Sequence, residues 1–175
     1  SSGDYTAGAV AYSEATLSNI KNFCEIASTG KYVGGVSGCV AKGEKLDSCE
    51  NGAAVSGGDM TGGVTGSGET ESCENSGSVR GESYVGGVSG TAGSVSDCTN
   101  TGSVSGGKQY IGGVAGSASA VRNCRNRGDV SVRGAFASAH DRYEASYAGG
   151  VAGSATSAAN CENTGDVKSG ADGEL

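Results

Sequence analysis

One block returns five times along the chain, and its spacing is that of a coil in a β-solenoid. Each copy opens on Gly-Gly-Val-X-Gly, at Gly34 to Gly38, Gly62 to Gly66, Gly86 to Gly90, Gly112 to Gly116 and Gly149 to Gly153. Each continues to Cys-X-Asn, at Cys49, Cys73, Cys98, Cys124 and Cys161. Successive cysteines lie 24, 25, 26 and 37 residues apart. A unit this short cannot bury a core alone and must stack on its neighbours, so a fixed period outranks other signals in setting the fold. Stretches such as Gly102-Ser103-Val104-Ser105-Gly106 are too short and too punctuated by glycine for helices, and read as short strands joined by corners. The predicted fold is all-β, a parallel β-solenoid of about six coils and roughly 30 Å long at ~4.8 Å per coil.

Composition agrees with a thin interior. Glycine supplies 34 of 175 residues, proline and tryptophan are absent, and only 35% of residues are hydrophobic. A two-layer domain of this length would hold more Leu, Ile and Phe, whereas a solenoid fills only the narrow inside of each coil. The net charge of −7 disfavours nucleic acid and anionic membrane as partners, because both need a basic patch. No apolar run approaches the roughly 18 residues of a membrane span, so membrane insertion is not expected. No signal peptide is visible, and the chain reads as excised from something longer.

The period assigns jobs to positions. Val36, Val64, Val88, Val114 and Val151 should form one buried ladder, and Val55, Val79, Val104, Val130 and Val167 a second. Cys49, Cys73, Cys98, Cys124 and Cys161 should form a third, as small buried hydrophobes, with Cys24 as a degenerate first copy. Asn51, Asn75, Asn100, Asn126 and Asn163 fall where the chain turns. Asparagine tolerates left-handed backbone there, and stacked amides can bond along the axis. Gly77, Gly102, Gly128 and Gly165 are expected to turn with positive φ, and Gly52, one residue early, to mark an irregular corner. Residues 1–30 lack the Gly-Gly strand and are expected to form an N-terminal cap containing the degenerate repeat. Leu17, Ile20 and Phe23 at helix-like spacing leave a short helix over 13–26 or a capping coil open. Repeats then run over 31–170, with a tail at 171–175.

Reactive chemistry finds little footing. The recurring cysteines lie whole coils apart with no Cys-X-X-Cys pair, so neither zinc nor any other metal is expected. Parallel side chains about 4.8 Å apart sit too far for the roughly 3.5–4.5 Å between bridged Cβ atoms, which favours buried thiols over disulfides. Cys39 breaks the pattern and is the expected odd or exposed thiol. No glycine run leads into a helix, which sets aside a phosphate loop. Scattered acids such as Glu69, Glu71, Glu74, Asp97 and Asp129 read as a solvated face. No catalytic residue and no cofactor are expected. The period breaks once, within 132–146, where Phe136, His140, Arg142 and Tyr143 are the candidate ligand-binding set. Insertions in solenoids project as loops, often on a binding face.

Gly112-Gly113-Val114-Ala115-Gly116 followed by Val121-Arg122-Asn123-Cys124-Arg125-Asn126-Arg127-Gly128-Asp129-Val130-Ser131 resembles the GLUG motif. That repeat occurs in bacterial surface proteins, including regions outside the catalytic domain of M26 peptidases resembling IgA proteases. The likeness covers about residues 31 to 170. It implies an extracellular or wall-attached bacterial protein with an adhesive or spacing role, and no catalytic residues. The M26 zinc motif His-Glu-X-X-His cannot occur here, since His140 is the only histidine. The expected function is therefore a non-enzymatic surface module. Its partner would be a host or environmental glycan or protein, or neighbouring repeats of the same protein. The alternatives are an ice-binding solenoid, a self-assembling fibre subunit and a glycan-processing enzyme. The threonines fall in no constant register, which weighs against ice.

Overall fold

The computed structural model describes residues 4–133 and 146–169. Among these the chain forms 27 strands and no helix. Every strand pairing is parallel, and equivalent residues of successive repeats stand in register: Val55 on Val79, Val79 on Val104, Val104 on Val130 and Val130 on Val167. Six coils result, at residues 6–27, 33–56, 61–81, 85–106, 111–132 and 148–169. Three faces are six-stranded sheets, carrying the Gly-Gly, Cys-Asn and valine segments, and the fourth is a nine-stranded sheet. In coils 1 to 3 that fourth edge is two short strands. In coils 4 to 6 it is one strand of eight residues, Ser89–Ser96, Ala115–Arg122 and Ala152–Ala159. Coil 2 breaks the edge with a turn in which Glu44 N–H bonds to Ala41 O, with Gly43 at φ 92°.

The core is the set of ladders. Val36, Val64, Val88 and Val114 are fully buried, and the Val88 N–H bonds to Val114 O across the coil boundary. Val55, Val79, Val104 and Val130 are buried too. Each such side chain is worth about 1.5–3 kcal/mol of transfer free energy.

The asparagines form a continuous amide ladder. Nδ2 of Asn22 donates to Oδ1 of Asn51, and the same 2.8 Å bond repeats from Asn51 to Asn75, Asn75 to Asn100, Asn100 to Asn126 and Asn126 to Asn163. The second amide proton donates to the carbonyl two residues on, closing the corner at Cys24, Ala53, Gly77, Gly102, Gly128 and Gly165. From Asn22 to Asn126 both donors are thus satisfied away from water, which removes the cost of burying the amide, while Asn163 on the last rung is exposed.

Several expectations need correction. Residues 13–26 are not helical; Val10–Ser13, Leu17–Ser18, Lys21–Asn22 and Ile26–Ala27 are strands paired with coil 2. Leu17 and Ile20 face the interior while Phe23 is 66% exposed, so their spacing reflects a corner, and neighbouring strands override local propensity. Cys24 is not a cysteine of the ladder. Asn22 pairs with Asn51, which sets Ile20 opposite Cys49 and leaves Cys24 exposed.

The corner glycines do not have positive φ. They are required by close approach: a Cβ at Gly77 would stand 1.8 Å from Ala53 O. Left-handed backbone falls instead on the residue before each interior rung, as at Ser48, Ser72, Asp97 and Asn123, and on Tyr32, Met60, Tyr84 and Tyr110. The corner at Gly52 is regular in its bonding, since Ala53 O accepts from Asn51 as Gly77 O does from Asn75. Gly52 instead leaves room for the Phe23 ring, which a Cβ would meet at 2.6 Å.

Candidate functional site

The cysteine ladder is structural. Cys49, Cys73, Cys98 and Cys124 are buried and Cys161 is partly covered, all as free thiols. Each Sγ lies near the carbonyl two residues before it, from 3.0 Å at Cys98 to 3.4 Å at Cys49. The hydrogen bond with Cys49, then burial, pushes the Cys73 thiol up to about 12. At Cys98 the Cys124 thiol pulls downward, but Cys73 and burial outweigh it and leave the group at about 12. Cys124 is also pushed up, by its bond with Cys98 and by burial. Cys49, at the end of the row, is drawn down to about 7 by the bond from Cys73. At Cys73, Cys98 and Cys124 the sulfur is protonated and buried, hence a poor nucleophile and a poor metal ligand. Among the described residues, no group of three His, Cys, Asp or Glu side chains is placed to hold a metal ion.

The concave surface lies on the fourth sheet. Side chains alternate in and out along a strand, so one outward position per coil builds a column up the face. That column runs Tyr12, Cys39, Ser67, Thr91, Ser117 and Ser154, set by direct register. Within it Thr91 Oγ1 donates to Ser67 Oγ at 3.1 Å, a hydroxyl bond along the axis. The column lines a groove of about 760 Å³ together with Tyr5, Tyr32, Lys42 and Glu69 among others.

Tyr32, Tyr84, Tyr110 and Tyr147 precede Gly-Gly strands, Tyr5 holds the same register place before Thr6–Ala7, and Tyr12 lies in the fourth sheet. Tyr5 stacks on Tyr32 with ring centroids 5.0 Å apart and 10° between planes, and Tyr12 meets Tyr5 edge-on at 6.0 Å. Further along the same edge Tyr84 stacks on Tyr110 and Tyr110 on Tyr147. Met60 stands between the two stacks. Glycine on the fourth sheet lets the backbone that carries these rings come close: a Cβ at Gly116 would meet the Tyr84 carbonyl carbon at 2.5 Å. Tyr5 and Tyr12 remain about half exposed, at 47% and 50%. Burial, with Tyr32 next, raises the Tyr5 hydroxyl above its ordinary value, so it is a neutral donor at physiological pH. Cys39 also lines the groove and is only partly exposed; Cys24, not Cys39, is the exposed thiol. Burial raises Cys39, and a bond with Ser67 offsets part of that rise.

Phe136, His140, Arg142 and Tyr143 lie outside the described residues. The ladder residues Cys49 to Cys161 and Asn51 to Asn163 stand where the period puts them, inside the coil or on its last rung. The groove is the surface that the repeat alone does not reveal. Its one sequence signal is the tyrosine preceding Val and Gly-Gly at Tyr32, and Tyr84 and Tyr110 carry the same signal away from the groove. No family model, curated protein or solved structure matches the chain.

Proposed function

We propose that the chain is a non-enzymatic module of a secreted or cell-surface bacterial protein, a short rigid rod that binds a glycan along its fourth face. The observation that carries this reading is the groove in which exposed Tyr5 and Tyr12 stand beside the hydroxyl column Ser67, Thr91 and Ser117. Aromatic rings offer flat apolar faces to the C–H side of a sugar ring, and the tyrosine and serine hydroxyls both donate and accept. The GLUG resemblance supports the bacterial surface setting and the adhesive role. The hydrogen-bonded ladders suit a spacer, since they hold the groove straight without help from a partner.

The test is binding of the whole chain to chitin- and cellulose-derived oligosaccharides and to a mixed glycan array, with product analysis run in parallel. The expected result is saturable binding without cleavage. Tyr12→Ala should cost at least tenfold in affinity with an unchanged melting temperature, because Tyr12 is half exposed. Cleavage products would favour the glycan-processing alternative. Unchanged binding in Tyr12→Ala, lost instead on excising residues 134–145, would move the site to the insertion.

A further inference from the structure

The valine sheet departs from its own pattern at one corner. Its outward column runs Ser56, Arg80, Ser105, Ser131 and Lys168, set by direct register. Past that column the chain turns toward the next Gly-Gly strand through Glu82 in coil 3, Gly107 in coil 4 and Arg133 in coil 5. Gly106 pairs with Val132, which sets Arg133 one coil beyond Gly107. Arg80 and Arg133 therefore stand two coils apart, about 9.6 Å along the axis at one strand spacing per coil. Ser105 and Gly107 lie on the coil between them. A hollow of about 120 Å³ opens there, lined by Arg80, Glu82, Ser105, Gly106, Gly107 and Arg133 among others.

The groups at this hollow lack the partner that would satisfy them. Ser105 Oγ is the one side-chain nitrogen or oxygen, among the described residues, that is buried without a hydrogen-bond partner. A hydroxyl left in that state costs free energy, and folded chains keep few of them. Neither arginine side chain makes a hydrogen bond or ion pair with a described residue, whereas Lys21, Lys45, Lys108, Arg125 and Lys168 each pair with a carboxylate. The acid at the hollow does not answer the arginines either. Glu82 is paired with Lys108 at 3.6 Å, and it lies over Gly107, where a Cβ would meet Glu82 Oε2 at 3.1 Å. The backbone donors are already used: Gly107 N–H bonds to Gly81 O and Glu82 O, and Arg133 N–H to Gly106 O. Two uncompensated guanidinium groups and one hydroxyl remain.

We propose that this hollow binds a tetrahedral oxyanion, a phosphate or sulfate group. A guanidinium has donors only, so the ligand must accept, and two of them with no carboxylate to balance them call for negative charge. Each planar fork can hold two oxygens of one group, the pairing in which charge-assisted hydrogen bonds are strongest. The donors come from three sides, from the coil before, the coil after and Ser105 between. Oxygens arranged in a tetrahedron meet such a set, and the two coplanar oxygens of a carboxylate do not. The overall charge of −7 is no obstacle, since a single small anion needs one local pocket and not a basic face. The hollow lies on a different face from the tyrosine groove, so the two readings stand or fall separately.

The test is isothermal titration calorimetry of the whole chain at low ionic strength with inorganic phosphate, inorganic sulfate and glucose 6-sulfate, with chloride as the control anion. Saturable binding of the oxyanions, and none of chloride, is expected. Arg80→Ala and Arg133→Ala should each weaken binding at least tenfold, and Arg80→Lys should restore only part of it, because an ammonium cannot make the fork. Ser105→Ala should weaken binding about threefold without lowering the anion-free melting temperature, since the hydroxyl it removes has no partner to lose. Tyr12→Ala should bind the anions as the parent does. Tighter binding of glucose 6-sulfate than of inorganic sulfate would identify a glycan-borne group, and the reverse order a free anion. Absence of saturable phosphate or sulfate binding up to about 100 mM, where screening removes weak surface contacts, would overturn the proposal. So would full binding in the Arg80→Ala, Arg133→Ala double variant, or binding that this variant keeps and excision of residues 134–145 abolishes.

Discussion

Coils 4 and 6 spell nearly the same repeat and live in different surroundings. In coil 4 Val88, Cys98, Asn100 and Val104 are all buried. In coil 6 their counterparts Val151 and Cys161 are half covered, while Asn163 and Val167 are exposed. The same residues are therefore core in one place and surface in another, and only the presence of a coil on both sides separates the two. Stability in such a chain belongs to the interfaces between coils more than to any coil alone.

The largest effect should come from charging an interior valine. Val114→Asp puts a carboxylate into a fully buried site with no partner, and the cost should be at least several kcal/mol, enough to unfold a marginally stable domain. Val151→Asp makes the same change where one side is open and should cost no more than about half as much. Thermal melts of the two variants check this. Equal losses would mean that coil 6 is as well packed as coil 5, where Val114 lies.

The amide ladder gives the next contrast. Asn100→Ala removes its bonds to Gly102 O and Asn126 Oδ1 and the one it accepts from Asn75. At about 1–3 kcal/mol for each buried group left unpaired, with some relaxation, about 3–5 kcal/mol should be lost. Asn163→Ala acts on an exposed rung and should cost about 1 kcal/mol or less. Urea denaturation of both variants measures the difference.

A smaller effect follows from the thiols. Cys73 and Cys98 are raised from 9.0 to about 12. Their contribution is whole below pH 9.0 and is lost as pH rises toward about 12, because the unfolded chain sheds those protons first. Cys49, lowered to about 7, contributes in the opposite sense, above its unfolded value and decreasingly as pH falls through about 7. The melting temperature should therefore fall above pH 9, and fall less in Cys98→Ala than in the parent. A parent and variant with parallel profiles would show that the buried row does not titrate this way.

The valine, cysteine and asparagine ladders were legible because the period is nearly constant and each position recurs as one residue type. Coil 1 was misread because the count ran on Cys24, when Asn22 is the residue that keeps register with Asn51. Ile20 can replace cysteine inside the coil, since any small or medium apolar side chain fills that space, but the corner needs the amide of asparagine. The glycine corners were located correctly and explained wrongly. A glycine demanded by a carbonyl 1.8 Å from its missing Cβ looks the same in sequence as one demanded by φ. The groove was hidden for a different reason. Tyr12, Cys39, Ser67, Thr91, Ser117 and Ser154 share no residue type, and only strand register shows that they form one column.

The most direct test of the stacked-coil account is hydrogen exchange at the asparagine side chains, followed by NMR. In Asn51, Asn75, Asn100 and Asn126 both amide protons are bonded inside the solenoid. Those four side chains should exchange orders of magnitude more slowly than a free asparagine, with Asn163, exposed on the last rung, faster than all of them. Slow exchange at the four interior amides and fast exchange at Asn163 is the predicted result. Free-asparagine rates at Asn75 and Asn100 would contradict the ladder and, with it, the stacking of the coils.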